Sequence, residues 1–328
     1  MLRRNAYQRD PRRARRLESP VISVGNLAVG GSGKTPLVAT LARLLADAGE
    51  RPAVVSRGYG RRQQVDGALV VSDLRGLQVT DPRVTGDEPQ MLARMLPGIP
   101  IVVCPDRYLA GRLAETRLAA SIILLDDGFQ HLQLARDVDL VLLSAEDLEE
   151  RLLPGGRLRE PLGAARSASA LLVPGREEDV RLVQQRIGHD TVFQLRPTYG
   201  TPQAVMPFAE PLLAVEAGVA VAVAGIARPR RFFSALRTAG WDIRAEVVHR
   251  DHHWYTASDI AAIESRAAAA GASIILTTEK DAVRIEPLLP KRQAAGGPPW
   301  AYLPMTLQVE PVGAFRSWLL ARVGTARR

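Results

Sequence analysis

The sequence predicts an α/β protein built on a mostly parallel sheet with helices on both faces, plus a smaller α/β C-terminal domain. Short β-rich runs alternate with helical patterns from Pro20 to about Val173, the order in which a chain lays down parallel strands with crossover helices. A glycine-rich loop joins the first strand to the first helix, and a second alternating stretch begins near Val219.

In chain order, strands are expected at Val21–Val24, Ala53–Ser56, Ile101–Cys104, Ile122–Asp126, Leu140–Ser144 and Ala170–Val173. Between the first two, Leu37, Leu41, Leu44 and Ala48 recur at helical spacing, and Gly49 supplies a C-terminal cap. The proline-rich stretch Arg196–Leu213 lacks periodicity and reads as a linker, which divides the chain into domains at 1–200 and 201–328. In the second domain a strand is expected from Val219, a helix at Arg230–Ala239 and a buried strand at Ser273–Thr277. The Gly-Gly-Pro-Pro at 296–299 reads as a surface loop and the Arg-rich tail after Val323 as a frayed end.

A chain of 328 residues accommodates about two ordinary domains, and 46% hydrophobic with 24% charged residues is the composition of a soluble globular protein. No apolar run approaches the roughly 20 residues that span a bilayer. The early arginines, Arg3, Arg4, Arg9, Arg12, Arg13, Arg15 and Arg16, lead directly into Leu17-Glu18-Ser19-Pro20, without the apolar stretch of a signal peptide. A cytoplasmic location is expected. Cys104, the only cysteine, excludes an internal disulfide and reads as a small buried hydrophobe. The net charge of +8 favours an anionic partner. Among 43 Lys plus Arg, only Lys34, Lys280 and Lys291 are lysines, so a retained lysine marks a place for a compact ammonium.

The loop after the first strand reads Gly25-Asn26-Leu27-Ala28-Val29-Gly30-Gly31-Ser32-Gly33-Lys34-Thr35-Pro36. Backbone N–H groups from Ala28 to Thr35 would curl around a phosphate chain, Lys34 would neutralise it, and the Thr35 hydroxyl would ligate Mg²⁺. This is a P-loop of the NTPase type, in a variant form: the strict pattern wants glycine where Ala28 stands. A second element, Ile122–His131, is an apolar strand ending in Asp126 and Asp127, placed to complete the Mg²⁺ site. Asp87, within Thr85-Gly86-Asp87-Glu88-Pro89, serves either as a helix cap or as a general base for an acceptor hydroxyl. Asp251-His252-His253 offers exposed histidines or a catalytic partner, with too few neighbouring ligands for zinc.

Together these blocks resemble the tetraacyldisaccharide 4′-kinase family from about Ser19 to Leu320. The resemblance is carried by Gly25–Pro36, Ser56-Arg57-Gly58-Tyr59-Gly60, Gly86–Pro89, Asp126–His131, Leu158-Arg159-Glu160-Pro161, Asp251-His252 and Thr278-Glu279-Lys280-Asp281-Ala282-Val283. It implies transfer of the γ-phosphate of ATP to the 4′-hydroxyl of a tetraacylated glucosamine disaccharide 1-phosphate, giving lipid IVA, with ATP and Mg²⁺ as cofactors. It implies Asp87 as base assisted by His252, and Arg57, Arg159 and Glu160 lining the nucleotide or sugar-phosphate site. The lipid substrate places the protein at the inner face of the inner membrane as a peripheral protein.

One departure is the start of the chain: members usually begin with a longer apolar helix, whereas residues 1–17 here carry seven arginines against one aspartate. Such a segment attracts anionic lipid at roughly 1 kcal/mol per charge near the surface. A membrane-associated P-loop ATPase switch is the alternative reading, but it would carry a lysine where Val29 stands. No nucleic-acid partner is expected, since the arginines are spread along the chain and no nucleic-acid module is present.

Overall fold

The structure is a computed structural model that describes all residues except 1–3, 5, 8, 9, 32, 64, 213–216, 290–296 and 328. Two compact units are present: Met1–Thr198 with Thr306–Arg328, and Tyr199–Met305. The 201–328 boundary expected from sequence therefore differs at its far end. The last 23 residues, from Thr306 on, belong to the first unit, because Leu307, Val309, Phe315, Leu319 and Val323 are buried in that unit's core.

The first unit contains strands β1 (Val21–Asn26), β2 (Pro52–Ser56), β3 (Leu69–Asp73), β4 (Gly76–Leu77), β5 (Ile101–Val103), β6 (Ile122–Asp126), β7 (Val138–Leu142), β8 (Ala170–Pro174) and β9 (Val192–Tyr199). The second contains β10 (Gln203–Ala204), β11 (Val219–Ala224), β12 (Asp242–Val248), β13 (Ile274–Thr278) and β14 (Trp300–Leu303), and β15 (Met305–Glu310) returns to the first sheet. The order of the first sheet is β15-β9-β8-β7-β1-β6-β2-β5-β3-β4, parallel from β9 to β5, with β3 and β4 antiparallel at one edge. The second sheet runs β10-β14-β13-β11-β12, parallel except for β10.

The longer helices of the first unit before its return segment are α1 (Lys34–Asp47), α2 (Asp87–Met95), α3 (Arg107–Leu118) and α4 (Glu177–Ile187). Those of the second are α5 (Pro229–Thr238), α6 (Ala257–Ala269) and α7 (Glu279–Ile285); α8 (Val312–Ala326) closes the first unit again. Because side chains alternate across a strand, β1 and β6 feed both faces of the sheet. Ile22, Val24, Ile122 and Leu124 join Leu37, Leu41 and Leu45 of α1, Leu92 of α2 and Phe315 of α8, while Val21, Ile123 and Leu125 join Ala110 and Ala114 of α3. Helices thus cover both faces. Leu37, Leu41 and Leu45 are completely buried, and truncating one of them to alanine costs about 2–5 kcal/mol.

Two sequence expectations change here. The end after Val323 is not frayed: α8 continues to Ala326, anchored by the buried Val323. The stretch Arg196–Leu213 is only partly a linker, since its start completes β9 and Gln203–Ala204 pairs with β14. Leu213 and Gly296, the ends of two expected loops, lie outside the described residues.

Candidate active site

β1 lies at the centre of the first sheet, between β6 and β7. Its neighbour β2 in sequence is displaced beyond β6 in space, which opens a crevice at the carboxyl ends of the strands, where α/β sheets bind ligands. The register Val24↔Asp126 sets the end of β6 beside the start of the P-loop. Gly25 is required by this approach: a Cβ there would stand 2.4 Å from the Cβ of Phe129. Helix α1 begins at Lys34, after Gly33 turns the backbone left-handed at φ 87°. Ser32 lies outside the described residues.

The variant residue Ala28 has a structural reason. Residues 157–159 run alongside the loop: the Val29 N–H donates to the Arg157 carbonyl at 2.8 Å and the Arg159 N–H to the Leu27 carbonyl at 2.7 Å. Ala28 bridges Leu158 and is buried in the cluster containing Leu27, Phe129 and Leu158. Its methyl fills core space, while the glycines that follow, Gly30, Gly31 and Gly33, remain for the phosphate turn.

Cations and acids converge at the foot of α1. Lys34 Nζ donates to Asn26 Oδ1 at 2.9 Å and stands 3.4 Å from Asp127 Oδ1. Arg159 contacts both Asp127 oxygens at 3.0 Å and also donates to Asn26 Oδ1. Burial opposes ionisation of Asp127, but Lys34 and Arg159 outweigh it and hold the carboxyl at about 2. Asp127 itself has φ 55°, left-handed backbone that a non-glycine residue adopts at a cost.

Asp126 is in the opposite state. It is 2% exposed, and burial, reinforced by Glu88 and Asp127, pushes its carboxyl up to about 7. The Thr35 hydroxyl lies 3.5 Å from Oδ2, and Oδ1 is buried without a hydrogen-bond partner. A buried carboxylate with an unsatisfied oxygen beside a hydroxyl is the hard-oxygen donor set that Mg²⁺ takes, so these residues fit the metal.

Asp87 is the first residue of α2 and 2% exposed. It is not the cap, since Gly86 occupies that position; instead its Oδ1 accepts the Glu88 N–H at 2.9 Å. Gly86 has φ 91°, and a Cβ there would stand 2.9 Å from the Tyr59 carbonyl, so the Ser56–Gly60 and Gly86–Pro89 blocks meet through backbone. Arg57 is exposed beside them. Sequence reasoning missed Arg107, the first residue of α3. Burial and the neighbouring Arg57 lower its guanidinium to about 10, while Asp127 and Asp126 act in the opposite sense. Its position one turn past the end of β5, at the edge where the other site residues gather, is the signal that could have found it. Glu160 is bound by Arg4 rather than left open toward a ligand.

His252 belongs to the second unit. Its backbone is left-handed at φ 59°, its N–H donates to the Gly225 carbonyl at 3.2 Å, and its Nε2 lies 3.0 Å from Lys280 Nζ. Asp251 Oδ1 is 3.6 Å from the same ammonium. Donation from Lys280 to Nε2 leaves the ring proton on Nδ1. The neighbouring His249, His253 and Asp259 have donor atoms within 4.8 Å of one another. The two rings are stacked 4.2 Å apart and only 12° from parallel. A cation must lie in the plane of each imidazole it ligates, and these planes do not meet near the donors unless one ring turns.

The fold and this site define a P-loop nucleoside-triphosphate enzyme. The chain belongs to the tetraacyldisaccharide-1-P 4′-kinase family, whose model matches residues 1–324. It is 42% identical over 294 residues to the tetraacyldisaccharide 4′-kinase of Geobacter sulfurreducens, covering 87% of this chain and 80% of the relative. It is 37% identical over 339 residues to that of Syntrophus aciditrophicus, covering 98% and 88%. The crystal structure of LpxK from Aquifex aeolicus in complex with ATP superposes with a TM-score of 0.77 at 31% identity, over 98% of this chain and 94% of that one. Among the described residues no helix is long and apolar enough to cross a membrane.

Proposed function

We propose that this chain is a tetraacyldisaccharide 4′-kinase, moving the γ-phosphate of ATP to the 4′-hydroxyl of a tetraacylated glucosamine disaccharide 1-phosphate to form lipid IVA. The observation that carries the reading is the family match over residues 1–324, on a chain whose Lys34, Asp126 and Asp127 gather at one strand edge. The ATPase-switch alternative has no such support, and Val29 stands where its extra lysine would be.

In this reading Ala28–Thr35 wrap the triphosphate and Lys34 neutralises charge on it as the bond to ADP breaks. Arg159 and Asn26 hold Lys34 and Asp127 in place beforehand, so little reorganisation accompanies transfer. Arg57 and Arg107 supply further positive charge facing the acids. Thr35 and Asp126 would hold Mg²⁺, which would supply charge neutralisation on the phosphates, and Asp127, the adjacent carboxylate, is held by Lys34 and Arg159. Asp87 takes the proton from the 4′-hydroxyl, whose oxygen forms the new bond to the γ-phosphorus. The family resemblance gives His252, in the second unit, the assisting role, and Lys280 holds its ring.

The acceptor is a lipid, so the protein works peripherally at the inner face of the inner membrane, in contact with anionic headgroups. Incubation with labelled ATP and the tetraacyl disaccharide 1-phosphate tests the reading. Label in the lipid product is expected, and little or none in a lipid-free sugar control. Transfer to neither, by folded protein, would sink it.

A further inference from the structure

Arg4 is a buried charge that the reaction described above does not use. It is 7% exposed, and its guanidinium is satisfied on nearly every side. Nε and Nη2 hold the two Glu160 oxygens at 2.7 and 2.9 Å, Nη2 also donates to the Phe129 carbonyl at 3.1 Å, and Nη1 donates to Ser167 Oγ at 3.3 Å. The guanidinium carbon lies 3.9 Å from the centre of the Phe129 ring. Both main partners are motif residues: Phe129 follows the Asp126-Asp127 pair, and Glu160 follows Arg159.

The contacts continue inward. Glu160 lies below the ordinary carboxylate range because Arg4 and the Gln130 side chain outweigh its burial. Gln130 Nε2 donates to the Asn26 carbonyl at 2.9 Å, and Asn26 Oδ1 accepts from Lys34 Nζ at 2.9 Å. From Arg4 the connection runs through its partners Glu160 and Phe129 to their sequence neighbours Arg159 and Gln130, both of which donate to Asn26, the residue that holds the P-loop lysine.

We infer that Arg4 is a positioning residue for phosphoryl transfer, fixing Glu160 and the Phe129 turn and through them the Asn26–Lys34 contact. An arginine suits the place because one planar fork makes the bidentate pair and stacks on the ring at once; a lysine supplies the charge without the fork. The N-terminal segment is then part of the site's support, not only a region that meets lipid. The inference rests on the kinase reading for its turnover measurement, while nucleotide affinity provides a readout that does not depend on the acceptor.

The test compares the full chain with Arg4→Met, Arg4→Lys, Glu160→Gln and the Arg4→Met/Glu160→Gln pair. It measures kcat and KM for ATP and for the lipid, ATP affinity by calorimetry, and thermal midpoint. Arg4→Met is expected to lower kcat at least about tenfold, the scale of a misplaced reacting group, with lipid KM little changed and ATP binding weakened. Arg4→Lys should fall between parent and Arg4→Met, and the double variant should lose no more than the worse single one. If Arg4→Met does not fold, Arg4→Lys and Arg4→Gln carry the comparison, in that order of activity. Parent-like kcat and ATP affinity in these variants, or losses that multiply in the double variant, would overturn the inference. A parent without transfer would count against the kinase reading, and the ATP affinities would still decide the role of Arg4.

Discussion

Arg159 grips Asp127 with both terminal nitrogens at 3.0 Å, whereas Asp126, one residue earlier, faces Thr35 and keeps one oxygen buried without a hydrogen bond. Two adjacent carboxylates therefore have opposite environments. One is already neutralised by the protein, and the other has room for an incoming cation.

Opposite pH behaviour of stability follows. The folded carboxyl of Asp126 is raised from 3.8 to about 7, so between those values the folded chain keeps a proton that the unfolded chain releases, and stability falls as pH rises. Asp126→Asn should raise the thermal midpoint of the ligand-free chain at pH 7.5 (roughly, above the folded value) more than near pH 4. Asp127, lowered to about 2, contributes stability that is present above 3.8 and lost as pH falls through its folded value, so Asp127→Asn should lower the midpoint at neutral pH. Calorimetric scans across pH check both, and shifts of the same sign would contradict the assignment.

The same pair separates in catalysis. Asp126→Asn should raise the Mg²⁺ needed for half-maximal transfer by at least about tenfold. Asp127→Asn should act mainly on kcat, by releasing Lys34 and Arg159. A Mg²⁺ titration of each variant measures this, and equal Mg²⁺ dependence in both would speak against Asp126 as the ligand.

Lys34→Ala and Asp87→Ala should each reduce transfer by at least about a hundredfold, the scale for losing a charge clamp or a base. Steady-state assays with the purified variants decide it, and near-normal turnover of either would remove that residue from the site.

Lys280 stands 3.0 Å from His252 Nε2. Nitrogen NMR of the labelled chain should find the His252 proton on Nδ1, and Lys280→Met should produce a mixture of tautomers with reduced kcat. An unchanged tautomer in that variant would show that Lys280 does not set it.

The early arginines should not contribute equally to lipid binding. Arg12, Arg13, Arg15 and Arg16 are all exposed, but Arg15 pairs with Asp106 and Arg16 with Asp137, across the first unit, whereas Arg13 pairs only with Asp10 of its own segment, 3.5 Å away. Replacing Arg12 and Arg13 with serine should weaken co-sedimentation with anionic vesicles, and more so at low salt. The Arg15, Arg16 pair of substitutions should leave it nearly unchanged and lower the thermal midpoint instead. The reverse ranking would refute this division.

Much of the first sheet was legible because its strands are buried on both faces and read as apolar runs: Ile122–Asp126 has the same bounds in sequence and structure. The P-loop and the double aspartate were legible because glycine, lysine and acid sit at fixed offsets from a strand end. β12 and β15 were missed because they are edge strands with polar or half-exposed positions, as the alternating exposure of Asp242–Val248 illustrates, and β3, next to the edge strand β4, is likewise half-exposed. Arg107 and Arg4 were hidden for a different reason. In a chain with 43 Lys plus Arg, composition cannot mark which guanidinium is buried among carboxylates; only the tertiary fold does that.

The return of residues 306–328 to the first unit has a consequence for biosynthesis. The unit that holds the P-loop cannot close its core until Phe315, Leu319 and Val323 have left the ribosome, whereas Tyr199–Met305 is one uninterrupted stretch and is complete earlier. The smaller unit can therefore fold first, although it is encoded second. A truncation that removes only α8 should leave that unit intact while exposing the apolar face of the sheet it covered.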